Sequence, residues 1–269
     1  MNLSQCGLST ITVRSLTLPE VIDQAQRREI PVISPWRDIV QAEGVARAGR
    51  LVRDSGLKVS SLVRGGMFTA PDASGRRAAV EDNLRALEEA HAIGTDCLVL
   101  VCGGLVGRDL PGSRTMVREG IEALVPAATA AGIRLGIEPL HPMMVGSRSV
   151  VATLGEANDL VDAIGSPQVG VIVDVYHVWW DADLMAEIER AGRRILGVHV
   201  SDWVTPITGE LSSRGMMGDG CIDLPAVSAA VRAAGFDGPA DIEILSDHWW
   251  SLPADTVLDV ALERFQACV

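Results

Sequence analysis

Short apolar runs alternate with amphipathic stretches from one end of the chain to the other, and this rhythm restricts the possible folds more than any other property. Strands are predicted near residues 6–12 ("CGLSTIT"), 30–36 ("IPVISPW"), 57–64 ("LKVSSLVR") and 96–102 ("DCLVLVC"). Four more are predicted near 133–139 ("IRLGIEP"), 168–175 ("QVGVIVDV"), 195–202 ("ILGVHVSD") and 240–246 ("ADIEILS"). These runs are too continuously apolar to alternate cleanly, as expected of parallel strands covered on both faces. Between them, "AAVEDNLRALEEAHA" carries Val80, Leu84, Leu87 and His91 at the spacing of one helical face. Further helices fit near 18–28, 39–55, 114–131, 153–164, 182–192, 224–234 and 253–267, with Gly56, Gly94, Gly132, Gly165 and Gly235 placed as stops.

Eight strand–helix units of roughly 30 residues each match a single (β/α)8 TIM barrel, an α/β fold, over residues 1–269. No composition break marks a second domain. A doubly wound open sheet is the alternative, but no "GxGxxG" follows the first strand.

Charge and cysteine usage narrow the function. The formal net charge is -12 with no basic block, which counts against a nucleic-acid partner. No apolar stretch reaches the roughly 18–20 residues of a membrane span, and the N-terminus lacks the basic and apolar regions of a signal peptide. Cys6, Cys97, Cys102, Cys221 and Cys268 are odd in number and unpaired in spacing, so free thiols in a reducing cytoplasm are expected.

A barrel carries its active site at the C-terminal ends of its strands. There the fifth strand offers Glu138, the sixth Asp174, the seventh His199 and the eighth Glu243. Alternation directs Ile137 and Val173 to the helices and leaves Glu138 and Asp174 facing the axis. Gly136 and Gly170, two residues earlier on the same faces, are expected to leave room below the site. Three buried carboxylates and an imidazole are unfavourable together unless a cation joins them. An oxygen-rich set with one histidine predicts one divalent metal, Mn2+ first, with Mg2+, Co2+ or Zn2+ as alternatives.

The segments "LGIEPL", "VGVIVDVYH", "ILGVHVSDW", "GDGCIDLP" and "ADIEI" resemble the xylose-isomerase-like barrel superfamily, in particular its sugar phosphate isomerase/epimerase branch. That resemblance implies that Glu138, Asp174, His199 and Glu243 bind one divalent metal and that the two glutamates exchange protons with the substrate. It further implies substrate contacts for His177 and Arg214. The apurinic endonucleases of the superfamily carry an acidic residue and a histidine where this chain has Ser212 and Arg214. They also have histidines on earlier strands, where "VRGG" and "VCGG" stand here, so DNA repair is not expected.

Two features depart from the family pattern. His141, three residues beyond Glu138, could act as an extra acid or base near neutral pH, or be a plain loop residue beside Pro142. All six tryptophans follow predicted strand ends. Trp36, Trp179, Trp203 and Trp249 are expected to stack on a sugar-like small-molecule substrate, with Trp180 and Trp250 in the same ring; packing under loops or at a homo-oligomer interface is the other reading. "CGGLVGRDLPGSR", with Arg108 and Arg114, lacks a phosphate-loop pattern, so an unphosphorylated substrate is expected.

The expected reaction is proton transfer next to the carbonyl of a keto sugar or related polyol, as in an isomerase or epimerase. A lyase on the same scaffold is the nearest alternative: an inosose or dehydroshikimate dehydratase, or an enzyme releasing the aglycone of a 3-oxo-glycoside. In the last case a small second subunit is expected. A metal-independent glycosidase using the two glutamates and a catalytically inactive sugar-binding barrel are the remaining alternatives.

Overall fold

The computed structural model describes residues 2–269. Eight staves are built from nine parallel strands: β1 (Cys6–Ser9), β2 (Val32–Ser34), β3 (Lys58–Val59), β4 (Leu62–Gly66), β5 (Cys97–Val101), β6 (Arg134–Glu138), β7 (Val169–Asp174), β8 (Ile195–Val200) and, last, β11 (Ala240–Ile242). A two-residue hairpin, β9 (Asp202–Trp203) with β10 (Arg214–Gly215), stands apart from them. The pairing order is β3-β2-β1-β11-β8-β7-β6-β5-β4. Its two ends, β3 and β4, are halves of one stave. A bridge between Trp36 and Val63, with the Val63 N–H donating to Pro35 O at 2.9 Å, joins them back to the second stave. The ring is thus nearly closed.

Helices α1 (Leu18–Arg27), α2 (Arg37–Glu43), α3 (Val45–Ser55), α4 (Ala73–Ile93), α5 (Leu110–Ala131), α6 (Leu154–Ile164), α8 (Leu184–Ala191), α9 (Leu224–Ala233) and α11 (Ala254–Cys268) cover the outside. Two single turns, α7 (Val175–Val178) and α10 (Asp247–Trp250), follow strand ends. Gly56, Gly94, Gly132 and Gly165 end α3 to α6 in the left-handed conformation. Among the described residues no helix is long and apolar enough to cross a membrane, and all five cysteines are free.

Several expected boundaries shift for identifiable reasons. The third stave is split at Ser60–Ser61, where the Ser60 hydroxyl donates to Asp241 of the last stave and the Ser61 hydroxyl bonds Ser34 of the neighbouring second stave. The helix expected over 39–55 is two helices, broken at Gly44 with φ +83°. The first strand stops at Ser9. Thr12, in the turn that follows, donates to Ile242 O at 2.9 Å and accepts from the Ile244 N–H at 3.0 Å, which also takes the last stave out of its ladder after Ile242.

Apolar packing forms two shells. The outer shell, between strands and helices, includes Ile137, Val173, Val198, Val200, Ile242 and Ile244, all at most 1% exposed. The inner shell holds Val63, Cys97, Val99 and Ile172, with Trp36 and Leu196 against it. This corrects the expectation that Gly136 and Gly170 leave open room. A Cβ at Gly136 would meet Ile172 Cδ1 at 2.6 Å, and one at Gly170 would meet Leu196 Cγ at 2.7 Å. The space the glycines make is filled from neighbouring staves, and Ile172 forms an apolar floor.

Candidate metal centre and its surroundings

Glu138 and Asp174 are the last residues of β6 and β7, His199 is the penultimate residue of β8, and Glu243 follows β11. Strand register puts them level: Asp174 pairs with His199, and the Glu243 N–H donates to Val200 O at 3.0 Å. Because their chain neighbours are apolar and turned to the helices, these four side chains turn inward. They are 4%, 0%, 1% and 2% exposed, and one ligand atom from each lies within 4.8 Å of all the others.

His199 is the hub. Its Nδ1 lies 3.0 Å from Glu138 Oε1, 3.5 Å from Glu243 Oε2 and 4.0 Å from Asp174 Oδ2. Arg214 enters from β10, with NH1 at 2.9 Å from Asp174 Oδ2 and 3.2 Å from Glu243 Oε2. Its NH2 sits 3.2 Å from His177 Nε2, and the His141 backbone N–H donates to His177 Nδ1 at 3.2 Å. Outside the ring, Asp174 Oδ1 caps α7 by accepting from the Tyr176 N–H, and Glu243 Oε1 accepts from Ser9 Oγ at 3.2 Å and Trp36 Nε1 at 3.3 Å.

Burial would by itself lower the His199 pKa, but Glu243 and Glu138 override it and raise it well above the ordinary value. Burial lifts Asp174 to about 7 against the pull of Arg214. For Glu243 burial acts upward, yet His199 and Arg214 prevail and hold it below its ordinary value. His177 is pushed well below the usual range by burial and then by Arg214, so it is a neutral imidazole. Three carboxylates against one guanidinium and one imidazolium leave a negative charge over, and Asp174 bears that imbalance.

A divalent cation fits this donor set. Glu138 Oε1, Asp174 Oδ2 and both His199 ring nitrogens are buried without a hydrogen-bond partner of acceptable geometry. Glu138, Asp174, His199 and Glu243 would hold such an ion, since one ligand atom from each already lies within 4.8 Å of the others. Arg214 competes for Asp174 Oδ2 and Glu243 Oε2 but forms no ion pair with Glu138.

Above the cluster lies an aromatic layer. His141 stacks on Trp203 with centroids 4.7 Å apart and meets Trp180 edge-on at 5.8 Å. Tyr176 and Trp179 contact Trp203 at 4.8 and 5.5 Å. Of the substrate-contact candidates, His177, Arg214 and Trp36 touch the ligand cluster, and Trp179 and Trp203 line this layer. Trp249 does not join them; it lines a separate 260 Å³ cavity that shares Arg214. Trp250 donates to Ile11 O and stacks under Arg14.

Sequence reasoning assigned no role to Ser9, Tyr176, Asp202 or Asp241. Asp202 is the most informative of these. Its buried carboxylate accepts four backbone N–H groups, from Trp203 (2.8 Å), Gly218 (2.9 Å), Gly220 (2.9 Å) and Ile222 (3.0 Å). This clamp holds "GDG" against β9, and a Cβ at Gly220 would strike Trp203 O at 2.1 Å. The hairpin register then sets Arg214 opposite Trp203. The signal was present in "SDW" and "GDG", an acid before one turn and glycines in another, but nothing local links them.

The chain belongs to the xylose isomerase-like TIM barrel family, whose pattern it matches over residues 20–268. Its relatives include enzymes named as an inosose isomerase, a 3-dehydroshikimate dehydratase and a D-psicose 3-epimerase. It is 24% identical over 225 residues to inosose isomerase of Bacillus velezensis, covering 79% of this chain and 75% of the relative. It is 27% identical to 3-dehydroshikimate dehydratase of Pseudomonas aeruginosa, covering 93% of this chain but 39% of that longer protein. A crystal structure of a protein from Sinorhizobium meliloti 1021 superposes with TM-score 0.96 at 48% identity over 99% of each chain. The IOLI protein, solved with a bound zinc atom, superposes at TM-score 0.87 with 17% identity over 98% of each chain, a likeness of fold.

Proposed function

We propose that this protein is a divalent-metal-dependent isomerase or epimerase that moves a proton on the carbon next to the carbonyl of a keto sugar or cyclic keto polyol. One observation carries the reading: Glu138, Asp174, His199 and Glu243 converge at the strand ends, and Glu138 Oε1, Asp174 Oδ2 and both His199 nitrogens are buried there without a well-formed hydrogen bond. The oxygen-rich set favours Mn2+, with Mg2+, Co2+ or Zn2+ also compatible. When bound, the cation supplies Lewis acidity that acidifies the C–H beside a substrate carbonyl.

The chain's own residues do the rest. Glu243, held ionised by His199 and Arg214 and steadied by Ser9 and Trp36, is the stronger candidate for a fixed base. Glu138, across the ring on β6, can return the proton, to the neighbouring carbon for isomerisation or to the opposite face for epimerisation. Arg214 and His177 orient substrate oxygens, and the layer of His141, Trp203 and Trp179 excludes water above them. The five unpaired thiols fit a cytoplasmic setting. A homo-oligomer is part of the reading, and light scattering measures it.

A lyase is the second reading, favoured by the placement of His141. The Met143 N–H donates to its Nδ1 at 3.3 Å, and burial lowers its pKa, so at neutral pH a neutral ring carries its proton on Nε2. Such a group can protonate a leaving oxygen, and an enzyme releasing an aglycone in this way would work with a small second subunit. A glycosidase fits less well, because both glutamates are turned onto one buried imidazole and lie in a single cluster of candidate ligand atoms.

Incubation in D2O with inososes, ketohexoses, dehydroshikimate and a 3-oxo-glycoside tests the proposal, with and without Mn2+ after chelation. Deuterium entering the carbon beside the carbonyl, only with metal, is the expected result. Isomers, loss of water or a freed aglycone then separate isomerase from lyase. Full turnover after chelation would overturn the metal reading.

A further inference from the structure

Arg64 lies on the third stave at a register shift: Val63 pairs with Val99 and Gly65 with Leu100, which leaves Arg64 without a partner in the ladder. Val63 belongs to the inner shell, whereas a Cβ at Gly65 would meet Leu98, Leu100 and Asn83 of the outer shell. Two residues on, Gly66 is level with Val101, which is in turn level with Glu138. Arg148 arrives at the same place from the loop after β6. Its carbonyl accepts from the Gly103 N–H at 2.8 Å, and Ser149 bridges Gly103, two residues past Val101. The close approach depends on the second glycine of "VCGG", since a Cβ at Gly104 would lie 2.9 Å from Arg148 N.

Both side chains are half-buried, and among the described residues neither guanidinium has a hydrogen bond or ion pair. That sets them apart. Every other arginine of the described chain that is not exposed is bonded to a carboxylate or carbonyl, as Arg37 is to Asp82 and Glu89. Burial, and then the like charge of Arg148, depress the Arg64 pKa, with Glu138 pulling the other way, so the three charges feel one another. Two like-charged forks near one another with no carboxylate bonded to either are unfavourable unless an anion joins them.

We propose that Arg64 and Arg148 form an anion subsite beside Glu138 that receives a carboxylate of the substrate, making the substrate an acidic keto sugar or cyclic keto acid. The inference rests on the site reading given above and narrows its substrate class. A planar carboxylate matches the parallel N–H donors of a guanidinium. Phosphate is less suited, because the start of α5, on the loop that also carries Gly103 and Gly104, already has its Gly112 N–H bonded to Asp109 at 2.8 Å and offers that amide to no ligand.

Calorimetry on the Mn2+-loaded full chain tests the subsite, with shikimate as a carboxylated ring polyol, myo-inositol as an uncharged one and inositol monophosphate as the phosphate arm. Wild type is expected to bind shikimate about ten- to a hundredfold tighter than inositol, the range of a charge-assisted contact. Arg64→Met and Arg148→Met should each reduce that ratio toward one, with Arg64→Lys retaining part of it, while the Mn2+-induced rise in melting temperature is kept. Equal affinities in wild type, a ratio that survives both substitutions, tighter binding of the phosphate, or no ring binding at all would each overturn the proposal. Failure of the underlying metal reading shows separately, as a melting temperature that Mn2+ does not move.

Discussion

Arg214→Met should destabilise the metal-free protein far more than the metal-loaded one. The guanidinium lies 2.9 Å from Asp174 and 3.2 Å from Glu243, all three residues at most 3% exposed, so its removal leaves two buried carboxylates short of a cation. Breaking such a pair costs about 3–5 kcal/mol. For 269 residues the unfolding entropy is about 0.6 kcal/mol per degree, which converts the cost to a melting temperature lower by about 5–9 °C in chelator. The loss should depend on pH. Asp174 has its pKa raised to about 7, so its contribution to stability is greatest when protonated and falls as pH rises through that value. Without Arg214 its pKa rises further, so the deficit should be larger at pH 8.5 than at pH 6, where Asp174 is neutral in both proteins. Saturating Mn2+ at about 100 times its Kd adds about 2.7 kcal/mol, or about 5 °C, to wild type, and more to the variant, where no guanidinium competes. Differential scanning fluorimetry with chelator or MnCl2, at both pH values, measures all four combinations. An equal deficit with and without metal would refute the reasoning, because it would mean that Arg214 and the cation do not serve the same oxygens.

The other expectations concern the ligands, the extra histidine and the thiols. Glu138→Gln and Glu243→Gln should each lower turnover by about a thousandfold or more with near-native circular dichroism; collapse of the fold would assign them a structural role instead. His199→Ala should lower bound metal in elemental analysis, and unchanged content would remove it from the ligand set. His141→Ala should slow an aglycone-releasing reaction by about 10²–10⁴-fold but an epimerisation only about a few-fold, through the loosened aromatic layer, so the outcome sorts the two readings. Burial pushes Cys6, Cys97 and Cys102 up to about 12, so at pH 8 a thiol reagent should label Cys221 fast, Cys268 slowly and the rest only after unfolding. Labelling of more than two thiols in the native protein would contradict that packing.

What could be read from the chain and what could not divides along a physical line. The four candidate ligands were legible because direction in a strand is a local property: with Ile137 and Val173 committed to the helix side, Glu138 and Asp174 have only the interior left. Which side chains meet there is a property of closure, and closure is not local. Ser9 reaches Glu243 across 234 residues because β1 pairs with β11, and the indole of Trp36 follows it into the same carboxylate. The missing side chains of Gly136 and Gly170 were visible, yet the groups that fill the gaps come from the next stave in each case, Ile172 at Gly136 and Leu196 at Gly170. Arg214 is the furthest removed from local rules. Its position follows from a hairpin register held by the Asp202 clamp on "GDG", several residues away on either side. Nor does any local pattern in "LVRGG" announce the register shift that breaks alternation at Arg64. The residues that supply charge to the centre therefore come from strand pattern, whereas those that balance it, Arg214 within the cluster and Arg64 and Arg148 beside it, come from a hairpin, a bulge and a loop. In a buried site the two sets must agree in total charge. Among the described residues, Glu138 Oε1, Asp174 Oδ2 and both His199 nitrogens lack a well-formed hydrogen bond, and neither guanidinium of the arginine pair is bonded; a cation with a carboxylate-bearing substrate would complete both.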